Sequence, residues 1–204
     1  MSIFRSVRTS RAALGLRTSK SQAGFSLVEV SIVTAIVLII SIIGIPAINA
    51  YVVENKVPKV AGELQRYVAR TKANGQGSST PYAELTTENL ARALRNSSVL
   101  SVDTGEPPIV AHGLGGDGTA TGLVKVDNTN GGVSFTITMD AVNDAACPAL
   151  SSMMQRVAQR IEITGSATAV VKDSQAATIK AYSPINAEEA CGTGDTNRFV
   201  FTVW

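Results

Sequence analysis

Between Val30 and Val53 the sequence runs for 24 residues without a charged side chain. At 1.5 Å per residue a helix of that length covers roughly 36 Å, against a bilayer hydrocarbon core of about 30 Å, so it can span with some tilt. Arg5, Arg8, Arg11, Arg17 and Lys20 precede the run with no acidic residue among them, while Glu54, Lys56 and Lys59 follow with little net bias. The positive-inside rule then keeps residues 1–24 cytoplasmic and exports the rest. In a bacterium this places Cys147 and Cys191 in an oxidising compartment. Residues 25–204 carry thirteen basic and sixteen acidic side chains, a net −3, so the formal +2 of the chain belongs to its N-terminus. A large nucleic-acid-binding face on the body is therefore not expected. An apolar content of 45% excludes a disordered chain.

Three ordinary readings compete for such a segment. A secretory signal peptide has a shorter apolar core ending in small residues, and that cleavage pattern is missing here. An Arg-rich, Ser-rich, acid-free N-terminus also fits an organellar transit peptide by composition. The third reading is a plain signal anchor. Against all three stands Glu29, just inside the segment, where a carboxylate costs roughly 3 kcal/mol and marks a functional site whose partner should be named. No Lys or Arg lies within reach on the same helix. The partner must be a cation from elsewhere, and an α-amino group freed by cleavage before Phe25 would serve.

The stretch Gly24-Phe25-Ser26-Leu27-Val28-Glu29-Val30, after a basic leader and before an apolar helix, resembles the processing site of type IV pilins and the related pseudopilins of type II secretion. The resemblance implies cleavage after Gly24 by a prepilin peptidase, with N-methylation of the new N-terminal Phe25. The Phe25 ammonium would pair with Glu29 of a neighbouring subunit, two charges that are each costly alone in low dielectric. Pro46 matches a helix-disrupting proline of the family, and Gly44 beside it weakens the helix further.

Past the membrane run, Val53, Val57, Val60, Leu64, Tyr67 and Val68 recur at spacings of three and four, while Lys59, Glu63, Arg66 and Arg70 take other faces. This predicts an amphipathic helix burying its stripe against a head domain. Pro58 is expected to kink it and Asn74-Gly75 to end it. A rod from Phe25 to about Lys72 would be roughly 70 Å long. Thr80-Pro81 and Thr86-Thr87 read as helix starts. Strands are predicted at 123–126, 133–139, 169–172, 178–182 and 199–203, forming an antiparallel sheet, with a helix over Pro148–Ile163 marked by Leu150, Met153, Met154, Val157 and Ile161. The fold class is α+β, a long N-terminal helix on a C-terminal antiparallel sheet of pilin type. The expected divisions are a removed leader (1–24), a membrane and filament-core helix (25–53), an amphipathic helix (54–76) and a head (77–204).

Two cysteines, 44 positions apart, fit no zinc pattern and allow one intrachain bridge or two buried thiols. The family resemblance implies a bridge between Cys147 and Cys191 that bounds the exposed, variable region 147–191. A 24-residue leader, a mature chain of 180 residues and a helix beginning beside the first cysteine resemble the type IVb branch. Phe25 departs from that branch, which usually starts with another apolar residue.

Enzymatic chemistry has little support. Gly113-Leu-Gly-Gly-Asp-Gly118 lacks the Lys-Ser/Thr and helix start of a phosphate cradle. His112 is the sole histidine, Asp140 and Asp144 lack calcium-loop spacing, and Glu188-Glu189 reads as a solvated pair. No catalytic residue, metal or cofactor is expected. The reading is a pilus subunit, held in the bacterial inner membrane before assembly and extracellular afterwards. Its expected partners are further copies of itself, a prepilin peptidase, a pilus assembly ATPase with its inner-membrane platform, and an outer-membrane secretin. The rivals are a pseudopilin or minor pilin, and a signal-anchored binding module that never polymerises.

Overall fold

The computed structural model describes residues 24–204 and divides into two compact units, one ending at Ile42 and one spanning Ile43–Trp204. Helix α1 (Leu27–Asn74) is assigned without interruption for 48 residues. In the first unit its hydroxyls turn inward on their own backbone. Ser31 Oγ donates to Val28 O, Thr34 Oγ1 to Val30 O, and, about two turns further on, Ser41 Oγ to Val37 O, at 2.7–2.8 Å. These bonds satisfy the side chains without water, as an apolar solvent demands. Gly44, Pro46 and Pro58 all lie within this continuous assignment, and each proline, lacking an N–H, removes one backbone bond from the helix.

In the second unit the predicted stripe is buried. Val57, Val60, Leu64, Tyr67 and Val68 are each at most 5% exposed and share one core cluster with the sheet, and Val53 packs at its margin. Five antiparallel strands follow in spatial order β3-β4-β7-β5-β6. They are β3 (Val124–Thr129), β4 (Ser134–Val142), β5 (Arg160–Thr164), β6 (Thr168–Asp173) and β7 (Asn197–Val203). A separate hairpin, β1 (Ser101–Asp103) with β2 (Ile109–Ala111), was not legible in strands of three residues.

Helix α2 (Thr87–Leu94) starts where Thr86-Thr87 predicts, with the Thr86 N–H donating to Asn89 Oδ1 at 2.9 Å. Thr80-Pro81 starts only a turn. The Tyr82 N–H donates to Gly132 O at 2.9 Å, tying this segment to the β3–β4 turn. A Cβ at Gly132 would lie 2.6 Å from Ala83 Cα, so the approach requires glycine.

The predicted helix over Pro148–Ile163 is corrected to α3 (Cys147–Met154) followed by β5. Ile161 and Ile163 are buried by alternation, while Arg160 and Glu162 pair at 2.6 Å on the other face. Spacings of three and four had carried a helical stripe across what is a two-residue period. The predicted strand over Thr178–Tyr182 is also corrected. Only Lys180 pairs with β6, at Asp173, and the Tyr182 hydroxyl lies 2.8 Å from Ser151 Oγ on α3. The chain then enters α4 (Pro184–Ala190), whose N-cap Ser183 Oγ accepts the Asn186 N–H.

Cys147 and Cys191 are bridged, with Cα atoms 6.1 Å apart, joining the start of α3 to the end of α4. Asn197 anchors the chain beside the bridge. Fully buried, its Nδ2 donates to Val142 O and Gly192 O, and its Oδ1 accepts the Gly192 N–H. Both outer strands are occupied along part of their length. Thr87 Oγ1 accepts the Val126 N–H and donates to Val126 O on β3, and Ser183 N–H donates to Val171 O on β6.

His112 is fully buried, its Nδ1 accepting the Leu114 N–H and its Nε2 lying 2.8 Å from Asp140 O. Those partners assign a neutral ring protonated on Nε2. Burial lowers its pKa, against the opposing influence of Asp140 and Asp195.

Two outcomes are expected. Replacing both cysteines by alanine lowers unfolding free energy by about 4 kcal/mol in the chain-entropy account of a loop this long, read by denaturant titration. Because the folded head resists protonating His112, its contribution is complete above about pH 6.5 and is lost as pH falls through the lowered folded-state value. The slope of stability against pH across that window should flatten in His112→Gln.

Candidate functional site

The residues singled out in the sequence converge at the start of α1. Gly24, Phe25 and Ser26 precede the helix without regular structure. Phe25 is 87% exposed, and a Cβ at Gly24 would meet nothing within 4 Å, so this glycine answers to no packing need within the described chain. Glu29 sits in the first helical turn, where its charge opposes the positive end of the helix dipole. Its Oε2 accepts the Ser26 N–H at 2.9 Å, and Ser26 Oγ accepts the Val28 N–H at 3.3 Å. Together they cap the helix start, with Glu29 making the returning half of a capping box. Phe25, Glu29, Val30, Val33 and Thr34 line one shallow hollow, so the two residues expected to act together share a surface.

The cap adds a role for Ser26 that the sequence reading missed. The signal was present in the spelling Ser-Leu-Val-Glu, a hydroxyl residue three positions before an acid at a helix start. Glu29 therefore has a partner for one oxygen inside its own chain. Its Oε1 makes no hydrogen bond among the described residues.

From Leu27 to Val52 the large apolar side chains of the helix stand uncovered, with Leu27 at 88% and Ile42 at 74% exposure. The helix contains an 18-residue window of mean hydropathy 2.7, long and apolar enough to cross a membrane. An uncovered apolar surface of this extent marks a contact with lipid or with other protein. The basic leader, residues 1–23, lies outside the described residues.

Elsewhere the candidate chemistry is spoken for. In the glycine-rich loop the N–H groups of Thr119, Ala120 and Thr121 donate to Asp117 Oδ1, and that of Gly116 to Asp195. These bonds hold the Asp117 carboxyl well below the usual carboxylate range. The loop thus closes around its own anion, a different arrangement from a phosphate cradle. Asp140 Oδ1 accepts the Leu123 N–H, and Asp144 Oδ1 that of Ala145. Glu188 and Glu189 are exposed on α4. Among the described residues no cluster of His, Cys, Asp and Glu is arranged to hold a metal ion.

Comparison with known proteins bears on both parts of the chain. The family model described as Prokaryotic N-terminal methylation motif matches residues 19–45, and the model described as PilS N terminal matches residues 55–204. A comparison with curated protein sequences gives no match. Among solved structures, a type IV b pilin from Salmonella typhi aligns at 21% identity and a TM-score of 0.42, covering 74% of this chain and 94% of that one. With the methylation motif over its apolar helix and the PilS model over the whole of its head, the chain belongs to the PilS N-terminal family and is a type IV pilin.

Proposed function

We propose that the chain is made as an inner-membrane precursor, cut after Gly24 by a prepilin peptidase on the cytoplasmic face, methylated on Phe25, and polymerised into an extracellular filament. The observation that carries this reading is the hollow where exposed Phe25 meets Glu29, at the head of an apolar helix that its own chain leaves uncovered. Cleavage turns the Phe25 amide into a cation on the hollow it shares with a carboxylate that has a spare oxygen. In an apolar surround that pair forms between copies more cheaply than either charge persists alone. Burying the surface from Phe25 to Val53 among neighbouring helices supplies the driving force, and the charge pair sets the register.

The cysteine bridge suits the oxidising side of the membrane, which agrees with an exported head. The hydroxyls folded back on the helix suit both lipid and a dry filament core. Export and growth require an assembly ATPase, an inner-membrane platform and, in a double-membraned cell, an outer-membrane secretin. The helix opening at Cys147 favours the type IVb branch.

The helix cap and the charge are separable by substitution, since glutamine can accept the Ser26 N–H but carries no charge. In the native cells, both Glu29→Ala and Glu29→Gln should still be cut after Gly24, while sheared filament falls by about tenfold or more. Normal filament from Glu29→Gln would refute the charge pairing. Intact mass of wild-type shear fraction should begin at methylated Phe25 and lie two hydrogens below the fully reduced mass. Recovery only from membranes, with residues 1–24 attached, would refute the filament reading and leave a signal-anchored module.

A further inference from the structure

In the second unit, α1 passes in three residues from the end of its uncharged run at Val53 to the exposed Lys56, an advance of about 4.5 Å along the helix. A bilayer adds about 5–7 Å of polar headgroups to each side of its hydrocarbon core. A helix whose apolar run ends at the edge of that core therefore holds Lys56 at the depth of the lipid phosphates.

The head meets the helix at the same level. Lys56 Nζ donates to Gly113 O at 3.4 Å, which brings the glycine-rich loop to the lysine. An open hollow of about 430 Å³ lies there, lined by Lys56, Val99, Ser101, Asp117 and glycines of the loop. It carries one cation and one anion, both exposed. Neither forms an ion pair among the described residues, with the other or with any third group. Asp117 stays ionised because three loop amides donate to its Oδ1 and hold its carboxyl well below the usual carboxylate range. The hollow thus presents separated charges of opposite sign, next to the end of an apolar helix.

We propose that this hollow binds the headgroup of a phosphatidylethanolamine lipid from the membrane that α1 crosses, with Lys56 on the phosphate and Asp117 on the ammonium. The chemistry selects that class of lipid. A short ethylene link joins phosphate to ammonium, so one hollow can answer both charges, and Ser101 adds a hydroxyl for a phosphate oxygen. A phosphatidylglycerol headgroup satisfies Lys56 but offers no cation to Asp117. The trimethylated ammonium of phosphatidylcholine has no N–H to donate to a carboxylate. The site rests on the reading that α1 anchors the chain in a bilayer. It holds the head on the membrane surface before assembly, and extraction of the subunit empties it.

The experiment follows hydrogen exchange in the full-length chain, reconstituted into nanodiscs of phosphatidylcholine with an equal part of either phosphatidylethanolamine or phosphatidylglycerol. Amides of residues 113–121 should exchange about tenfold more slowly with phosphatidylethanolamine than with phosphatidylglycerol. Asp117→Asn keeps an oxygen for the three loop amides but removes the charge, and should erase that difference. Lys56→Gln should erase it too, whereas Lys59→Gln, the same change of charge about one turn on, should leave it intact. Unchanged slow exchange in β4 and β7 identifies each variant as folded. Equal exchange in the two lipids for the wild type overturns the site, as does a difference that survives Lys56→Gln and Asp117→Asn. A difference lost in Lys59→Gln as well assigns the effect to the general charge of the helix and also overturns the hollow. Failure of the wild-type chain to enter nanodiscs would instead refute the membrane reading, and the site with it.

Discussion

Burial of Val57, Val60, Leu64, Tyr67 and Val68 on a single face of α1 holds the C-terminal half of that helix in the core of the head. From Leu27 to Val52 the large apolar side chains have no such cover among the described residues. The same helix therefore obeys two rules along its length. Its later turns alternate buried and solvated faces, as a surface helix of a globular domain does. Its earlier turns are apolar all round, which is stable only where water is excluded. The boundary is written in the sequence by the return of charge at Glu54 and Lys56. It is also written in the hydroxyls, which before that point bond back to their own helix.

The parts of the chain that were legible from sequence share one property: a long signal governed by a single physical cause. The apolar run, the helical stripe after it and the capping of α2 by Thr86 each answer to one periodicity or one hydrogen bond. Short elements were harder because several causes overlap. Met154, Val157 and Ile161 satisfy a helical spacing, yet the helix ends at Met154, and Ile161 is buried by pairing with Phe201 across the sheet. Thr178–Tyr182 has the composition of a strand, but Tyr182 is claimed by Ser151 and the chain is drawn into α4. Ser183-Pro184, a cap residue followed by a proline suited to a first turn, was the clue to that helix. At the N-terminus, Gly24, Phe25 and Glu29 stood out because a lone acid in an apolar helix demands explanation. Ser26 did not, since its hydrogen bonds are local and ordinary.

Several acids of the head are closed onto nearby donors. Asp117 gathers three loop amides, Asp195 joins the glycine-rich loop to Asn143, and Asp173 accepts from Arg160 and from two amides of its own turn. His112 is neutral for the same reason, with each ring nitrogen committed to a backbone group. Against that background Glu188 and Glu189 of α4 and Arg70 of α1 stand out, forming no ion pair among the described residues. Glu29 is a partial one, with a single oxygen engaged. Surface that a fold leaves unsettled is where other molecules have something to offer.

The side-chain and backbone groups that occupy β3 and β6 have a consequence for how copies can come apart. A strand already engaged by Thr87 or Ser183 is a poor template for another chain, because pairing would first have to break those bonds. In the proposed filament, copies would join through helix faces and folded surfaces rather than through shared backbone ladders. Association of that kind would leave each domain intact, so that a subunit could be withdrawn and used again without being unravelled, whereas a cross-strand polymer would be close to permanent.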